Sequence, residues 1–112
     1  MLVEDCVFCR ILRGEIPSDK VYEDDKMLVF RDIEPKAKVH LLAIAKEHFA
    51  FLSDADERGR ELVSYILFKI PEIARKNGCA DGYRVVINQG ADAGQTVFHL
   101  HIHVLGGEKL PW

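Results

Sequence analysis

The chain has 112 residues, 48% of them hydrophobic, with 15 Lys and Arg against 18 Asp and Glu, a formal net charge of −3. That length and apolar content suit one domain with a real core and no need of covalent staples, so residues 1–112 are read as a single unit. No basic run follows a phosphate backbone, no apolar stretch approaches a membrane span, and no basic segment leads into a signal core. The expectation is a cytoplasmic protein without nucleic-acid or membrane partners.

Near the N-terminus, Cys6-Val7-Phe8-Cys9 has a spacing that suits a metal or redox pair better than a structural disulfide. Val7 to Leu12 predicts a short helical turn ending near Gly14, and Ile16-Pro17-Ser18 a turn. Lys20 to Glu23 and Met27 to Arg31 read as two strands of a hairpin across Asp24-Asp25-Lys26, and Asp32-Ile33-Glu34-Pro35 ends the second. Val39 to Ala45 is a third strand, with His40, Leu42 and Ile44 on one face and Val39, Leu41 and Ala43 on the other; His48 follows its end.

Ser53-Asp54-Ala55-Asp56 offers capping oxygens, and Leu62, Ile66, Ile70 and Ile73 recur at helical spacing. Arg75 and Lys76 complement the dipole of this one long helix, and Asn77-Gly78 ends it. Pro71 is expected to kink the helix or split it near Phe68. Cys79 reads as a small core residue. Tyr83 to Asn88 is a fourth strand, Gln89 to Thr96 a glycine-bearing loop, and Val97 to Leu105 a fifth strand. The order predicts an α+β class, an antiparallel five-stranded sheet with one long and one short helix.

The fifth strand carries His99-Leu100-His101-Ile102-His103-Val104. Alternation turns Leu100, Ile102 and Val104 toward the core and sets three imidazoles along roughly 14 Å of the other face. Three readings are open to such a face: a zinc site, exposed structural histidines, or catalysis by imidazole. Just before it, the loop with Gly90 and Gly94 reads either as a surface turn or as a phosphate cradle, in which the glycines permit close backbone approach and Asn88, Gln95 and Thr96 bring side-chain donors. Asp32, taken by itself, reads as a turn aspartate before Pro35.

The run His99-Leu-His101-Ile-His103-Val-Leu105 strongly resembles the signature of the histidine triad nucleotide-binding family. Phe8–Tyr22, Leu28–Ile33, His40–His48, Gly82–Asn88 and Gly94-Gln95-Thr96 are similar to its branch of nucleoside phosphoramidate hydrolases. The resemblance implies a triad fold and hydrolysis of purine nucleoside monophosphoramidates. It makes His101 the nucleophile on the α-phosphorus, His103 a donor to a phosphate oxygen and His40 a positioning group. Thr96, where serine is usual, brings its hydroxyl to the leaving group. Asp32 and Ile33 match positions lining the ribose and base pocket, with Asn88, Gly94, Gln95 and Thr96 completing the nucleotide site beside His101 and His103. Cys6 and Cys9 with His48 and His99 resemble the closed, structural zinc site of related bacterial proteins, so zinc is the expected cofactor and is not required for the chemistry. In the relatives the C-terminal tail, here ending on Trp112, reaches the other protomer of a dimer, which implies a homodimer. Ala45 departs from the proline usual there. Alternatives are a dinucleoside polyphosphate hydrolase, a nucleotidyl transferase, a triad-bound catalytic zinc, and a non-catalytic nucleotide- and zinc-binding module.

Overall fold

A computed structural model describes residues 2–112. Its elements in chain order are α1 (Val7–Leu12), β1 (Lys20–Glu23), β2 (Met27–Arg31), β3 (Val39–Ala45), a 3-10 turn at Leu52–Asp54, α2 (Glu57–Lys76), β4 (Tyr83–Val86), a second 3-10 turn at Ala91–Ala93, and β5 (His101–Gly106). The five strands form one antiparallel sheet in the order β1-β2-β3-β5-β4. This is the expected α+β architecture. Among the described residues no helix is long and apolar enough to cross a membrane.

Apart from His40, β3 is apolar because both its faces are covered. Leu41, Ala43 and Ala45 pack with Ile102 and Val104 of β5 under Leu62, Ile66, Ile70 and Ile73 of α2. Leu42 and Ile44 face the other way, with Leu28 and Phe30 of β2, and Phe8 and Ile11 of α1 cover that side. Ile66 and Ile102 are completely buried, so truncating either to alanine removes about 2–5 kcal/mol.

The capping of α2 follows its sequence. The Asp56 carboxylate accepts from the Gly59 N–H at 2.8 Å, and at the other end the Asn77 side chain donates to the Ile73 carbonyl at 2.7 Å. Asp24 organises the opposite edge. One of its oxygens accepts from the Lys26 and Met27 N–H groups, closing the β1–β2 turn. The other accepts from the Tyr22 hydroxyl and from Tyr65 of α2. Burial alone would raise the pKa of this carboxyl; the four hydrogen bonds outweigh that and hold it at about 2.

Three boundaries differ from the sequence reading. α2 runs through Pro71 without interruption. Pro71 lies on the exposed side of the helix, where water can take the partner that its missing N–H leaves to a carbonyl one turn earlier. β4 stops at Val86 rather than Asn88, and β5 starts at His101 rather than Val97. The chain leaves the ladder before His101 because the Leu100 N–H donates to Phe49 and the His99 ring is drawn under the end of β3.

Candidate functional site

The alternation of β5 holds, with Leu100, Ile102 and Val104 buried in the core, but the three histidines on the other face go to different places. His99 is fully buried. Its Nε2–H donates to the Ala45 carbonyl at 3.1 Å, a pairing that leaves Nδ1 as a bare lone pair. That Nδ1 lies 3.4 Å from Cys6 Sγ and 3.5 Å from Cys9 Sγ, and His48 Nδ1 lies 3.4 Å from Cys9 Sγ. The four ligand atoms sit within 4.8 Å of one another.

These separations fit a tetrahedral zinc ion, for which bonds of about 2.3 Å to sulfur and about 2.0–2.1 Å to nitrogen put neighbouring S and N atoms about 3.6 Å apart. The donors fit as well. The Cys9 N–H points at Cys6 Sγ and the Val3 N–H at Cys9 Sγ, an arrangement that favours thiolates. Burial holds both imidazoles in the neutral form, with His99 brought down to about 4 and His48 also lowered. It raises the Cys9 thiol, so metal binding would have to displace that proton.

Two residues on, His101 does the reverse with its ring. Its Nδ1–H donates to the backbone carbonyl of His99 at 2.7 Å, and since a carbonyl only accepts, Nε2 is the unprotonated nitrogen. Phe8 of α1 stands edge-on to both His99 and His101, with ring centres 5.9 and 5.1 Å away, and fixes the two planes.

His103 is set by a relay. The Lys36 N–H donates to His40 Nδ1 at 3.0 Å, so His40 carries its proton on Nε2. Nε2 is 2.9 Å from His103 Nδ1, which accepts, and His103 is left with a donor Nε2–H. Burial, reinforced by His101 and His40, brings His103 down to about 4; burial also lowers His40. Asp32 lies 3.5 Å from His40 Nε2 through one carboxylate oxygen, while the other accepts from the Glu34 N–H in the turn. Asp32, His40 and His103 also lie close enough together to hold an ion. The Lys36 N–H disfavours that use, because it ties up the only unprotonated nitrogen of His40.

A cleft of about 850 Å³ opens over this side of the sheet. His40, His101, His103, Asp32, Ile33, Asn88, Gly94 and Thr96 all line it, and Phe8, Ile11, Ile16 and Phe30 give it an apolar wall. Ile33 is 94% exposed at the rim. Gln95 stands apart. It is buried, its Oε1 accepts from the Gly90 N–H, and its Nε2 donates to the Ala50 and Val97 carbonyls. Its amide therefore shapes the loop instead of reaching a ligand, and Gly94, with φ of 79°, makes the left-handed turn that presents Thr96.

Four contributors were missing from the sequence reading. Phe8 and the Ala45 carbonyl orient His99, and the Lys36 N–H orients His40. Arg84 lines the cleft beside Val86. Only Arg84 left a signal, since pairing β4 against β5 and counting by twos places it on the histidine face.

Comparison with known proteins agrees with this architecture. A histidine triad protein from Clostridium difficile superposes with a TM-score of 0.94 at 47% identity, covering 99% of this chain and 97% of that one. A HIT family hydrolase from Legionella pneumophila Philadelphia 1 gives 0.91 at 43% identity over 96% and 97%. A 14 kDa zinc-binding protein of Zea mays is 45% identical over 95% of this chain and 84% of its own. The model of the HIT domain matches residues 13–110, and the chain belongs to the HIT domain family.

Proposed function

We propose that the protein hydrolyses purine nucleoside monophosphoramidates at the α-phosphorus through a nucleotidyl-His101 intermediate. The observation that carries this is the 2.7 Å bond from His101 Nδ1–H to the His99 carbonyl, which leaves Nε2 free to attack on a cleft wall shared with a donating His103. A neutral imidazole is nucleophilic without a strong base, so tautomer and aim are what the protein must supply.

In the first step Nε2 forms a bond to phosphorus as the P–N bond breaks. The electron pair leaves on nitrogen, which takes up a proton; the Thr96 hydroxyl on the cleft wall is suited to assist. His103 Nε2–H donates to a non-bridging oxygen as its charge grows. Water then attacks phosphorus, the bond to His101 breaks, and nucleoside monophosphate leaves with the ring restored. Asp32 accepts from the ribose, Ile33 and the apolar wall take the base, and Asn88 and Gly94 lie beside the phosphate. The preference for purines rests on the family likeness, as few polar groups in the cleft could read a base edge.

Cys6, Cys9, His48 and His99 would hold zinc, which supplies a structural cross-link when bound. A four-ligand protein set leaves no open position for substrate. The Legionella relative's description as a hydrolase and the maize relative's as zinc-binding support the two halves of this reading. The same reading pairs two copies along β4, an edge strand with Tyr83 and Val85 exposed.

The test is turnover of a fluorogenic adenosine phosphoramidate by wild type and His101→Ala, with intact-mass analysis of quenched reactions. Turnover and a nucleotidyl adduct, both lost in the variant, are expected. A wild type that neither turns over nor labels would overturn the proposal in favour of a nucleotide-binding module.

A further inference from the structure

The two sulfurs beside His99 differ in what can reach them. Cys6 is half-buried, whereas Cys9 is completely buried. Cys6 is the N-cap of α1, and Cys9 lies three residues on, in a turn that the Arg10 N–H closes by donating to the Cys6 carbonyl at 2.9 Å. That spacing puts their Cα atoms about 5–6 Å apart, inside the range of about 4.4–6.8 Å that a disulfide spans. The sulfurs themselves lie within 4.8 Å of each other, so side-chain rotation can join them while the turn is kept. The third cysteine, Cys79, is buried in the core on the opposite face of the sheet, against α2.

What happens at these sulfurs reaches His101 by two routes. Phe8 sits between the cysteines in the chain and stands edge-on to both His99 and His101. His99, whose Nδ1 faces both sulfurs, also carries the carbonyl that receives the His101 Nδ1–H. β4 pairs with β5 only from His103 to Gly106, so the cluster lies beyond the stretch along which two copies are proposed to pair.

Resting on the zinc reading above, we infer that Cys6 and Cys9 form a peroxide-sensitive switch, in which their oxidation to a disulfide releases the metal and loosens the two contacts that aim His101. The exposed Cys6 thiolate attacks one oxygen of hydrogen peroxide; the O–O bond breaks, giving a sulfenic acid and a hydroxide ion. The Cys9 thiolate then attacks the Cys6 sulfur, forms the S–S bond and expels a second hydroxide. The two sulfurs give up two electrons, which reduce the peroxide. Thiolates are the metal ligands and a disulfide is not, so His48 and His99 alone are left, too few to hold zinc. A dithiol reverses the step by exchange, after which zinc rebinds.

The experiment starts from zinc-loaded protein of measured metal content and adds hydrogen peroxide in small excess. Zinc release is followed with a chromophoric chelator, thiol state by intact mass and peptide mapping, and the His101 ring by ¹H–¹⁵N spectra alongside turnover. Zinc is expected to leave in step with a Cys6–Cys9 disulfide, seen as the loss of two hydrogens. The His101 Nδ1–H resonance shifts, turnover falls about tenfold, and dithiothreitol with zinc restores both. Cys79→Ala responds as wild type does. The ring resonance reads the coupling without reference to any substrate. Zinc retained with both thiols reduced, release accompanied only by sulfinic or sulfonic acid, or a disulfide that leaves the His101 resonance unmoved would each overturn the inference and leave the zinc site standing. Protein that takes up no zinc on loading would overturn the zinc reading, and this inference with it.

Discussion

His99 and His101 are the same side chain two residues apart, and their surroundings give them opposite tautomers. His99 places its proton on Nε2 against the Ala45 carbonyl and turns Nδ1 toward two sulfurs. His101 places its proton on Nδ1 against the carbonyl of His99 and turns Nε2 into the cleft. An imidazole's chemistry is set by what its second nitrogen touches, and one carbonyl in each case is enough to set it. The two rings are also linked, since the carbonyl that orients His101 belongs to the residue whose side chain is aimed at the proposed metal site.

The sharpest way to break this comparison is to remove each group in turn. His101→Ala is expected to lower kcat by about 10⁴-fold or more in steady-state assays while shifting the melting temperature little, because the ring is only partly buried. Cys9→Ser, or chelation of the wild type, should do the converse. Zinc content by metal analysis falls from one per chain, melting drops by roughly 10 °C or more, and the folded fraction still forms some adduct at His101. Equal loss of activity and stability in both variants would erase the division.

A smaller effect comes from acid. His103 titrates at about 4 in the folded protein against about 6.5 when unfolded, and His40 is lowered too, both by burial first. The unfolded chain therefore binds more protons between those values. The stabilisation is fully present above pH 6.5 and is lost as pH falls toward 4, by about 2–3 kcal/mol for His103. Urea melts from pH 7 to 4.5 should show that decline, and His103→Gln should flatten it. Smaller again is Asp24→Asn in the β1–β2 turn, which should cost about 1–2 kcal/mol near neutral pH. Because the folded pKa of Asp24 lies below its unfolded value, its contribution is present above about pH 4 and fades as pH falls toward 2.

Elements with a clean period were legible from the residues. The apolar spacing of Leu62, Ile66, Ile70 and Ile73 specified α2, and strict alternation specified the core face of β5. What escaped was tertiary. β5 begins late because His99 is drawn toward Ala45, fifty-four residues earlier in the chain, and no local pattern encodes that. Pro71 leaves α2 continuous because it faces solvent, a fact of packing rather than propensity. In the site, the residue types of the histidine and cysteine clusters were visible, and the family resemblance implied the His99 carbonyl as the group that sets the His101 tautomer, whereas the backbone groups of Ala45 and Lys36 that orient His99 and His40 have no side-chain signature. Gln95 shows the opposite failure. Its amide looked free for a ligand and is fully engaged within its own loop.

The division of labour is tested most directly by long-range ¹H–¹⁵N correlation spectra of the histidine rings at pH 7, with zinc bound and after chelation. The account predicts a proton on Nδ1 and a bare Nε2 for His101 in the zinc-bound protein, and for His99 a proton on Nε2 with an Nδ1 resonance that moves strongly when the metal is removed. A His101 ring protonated on Nε2, or a His99 Nδ1 indifferent to zinc, would contradict it.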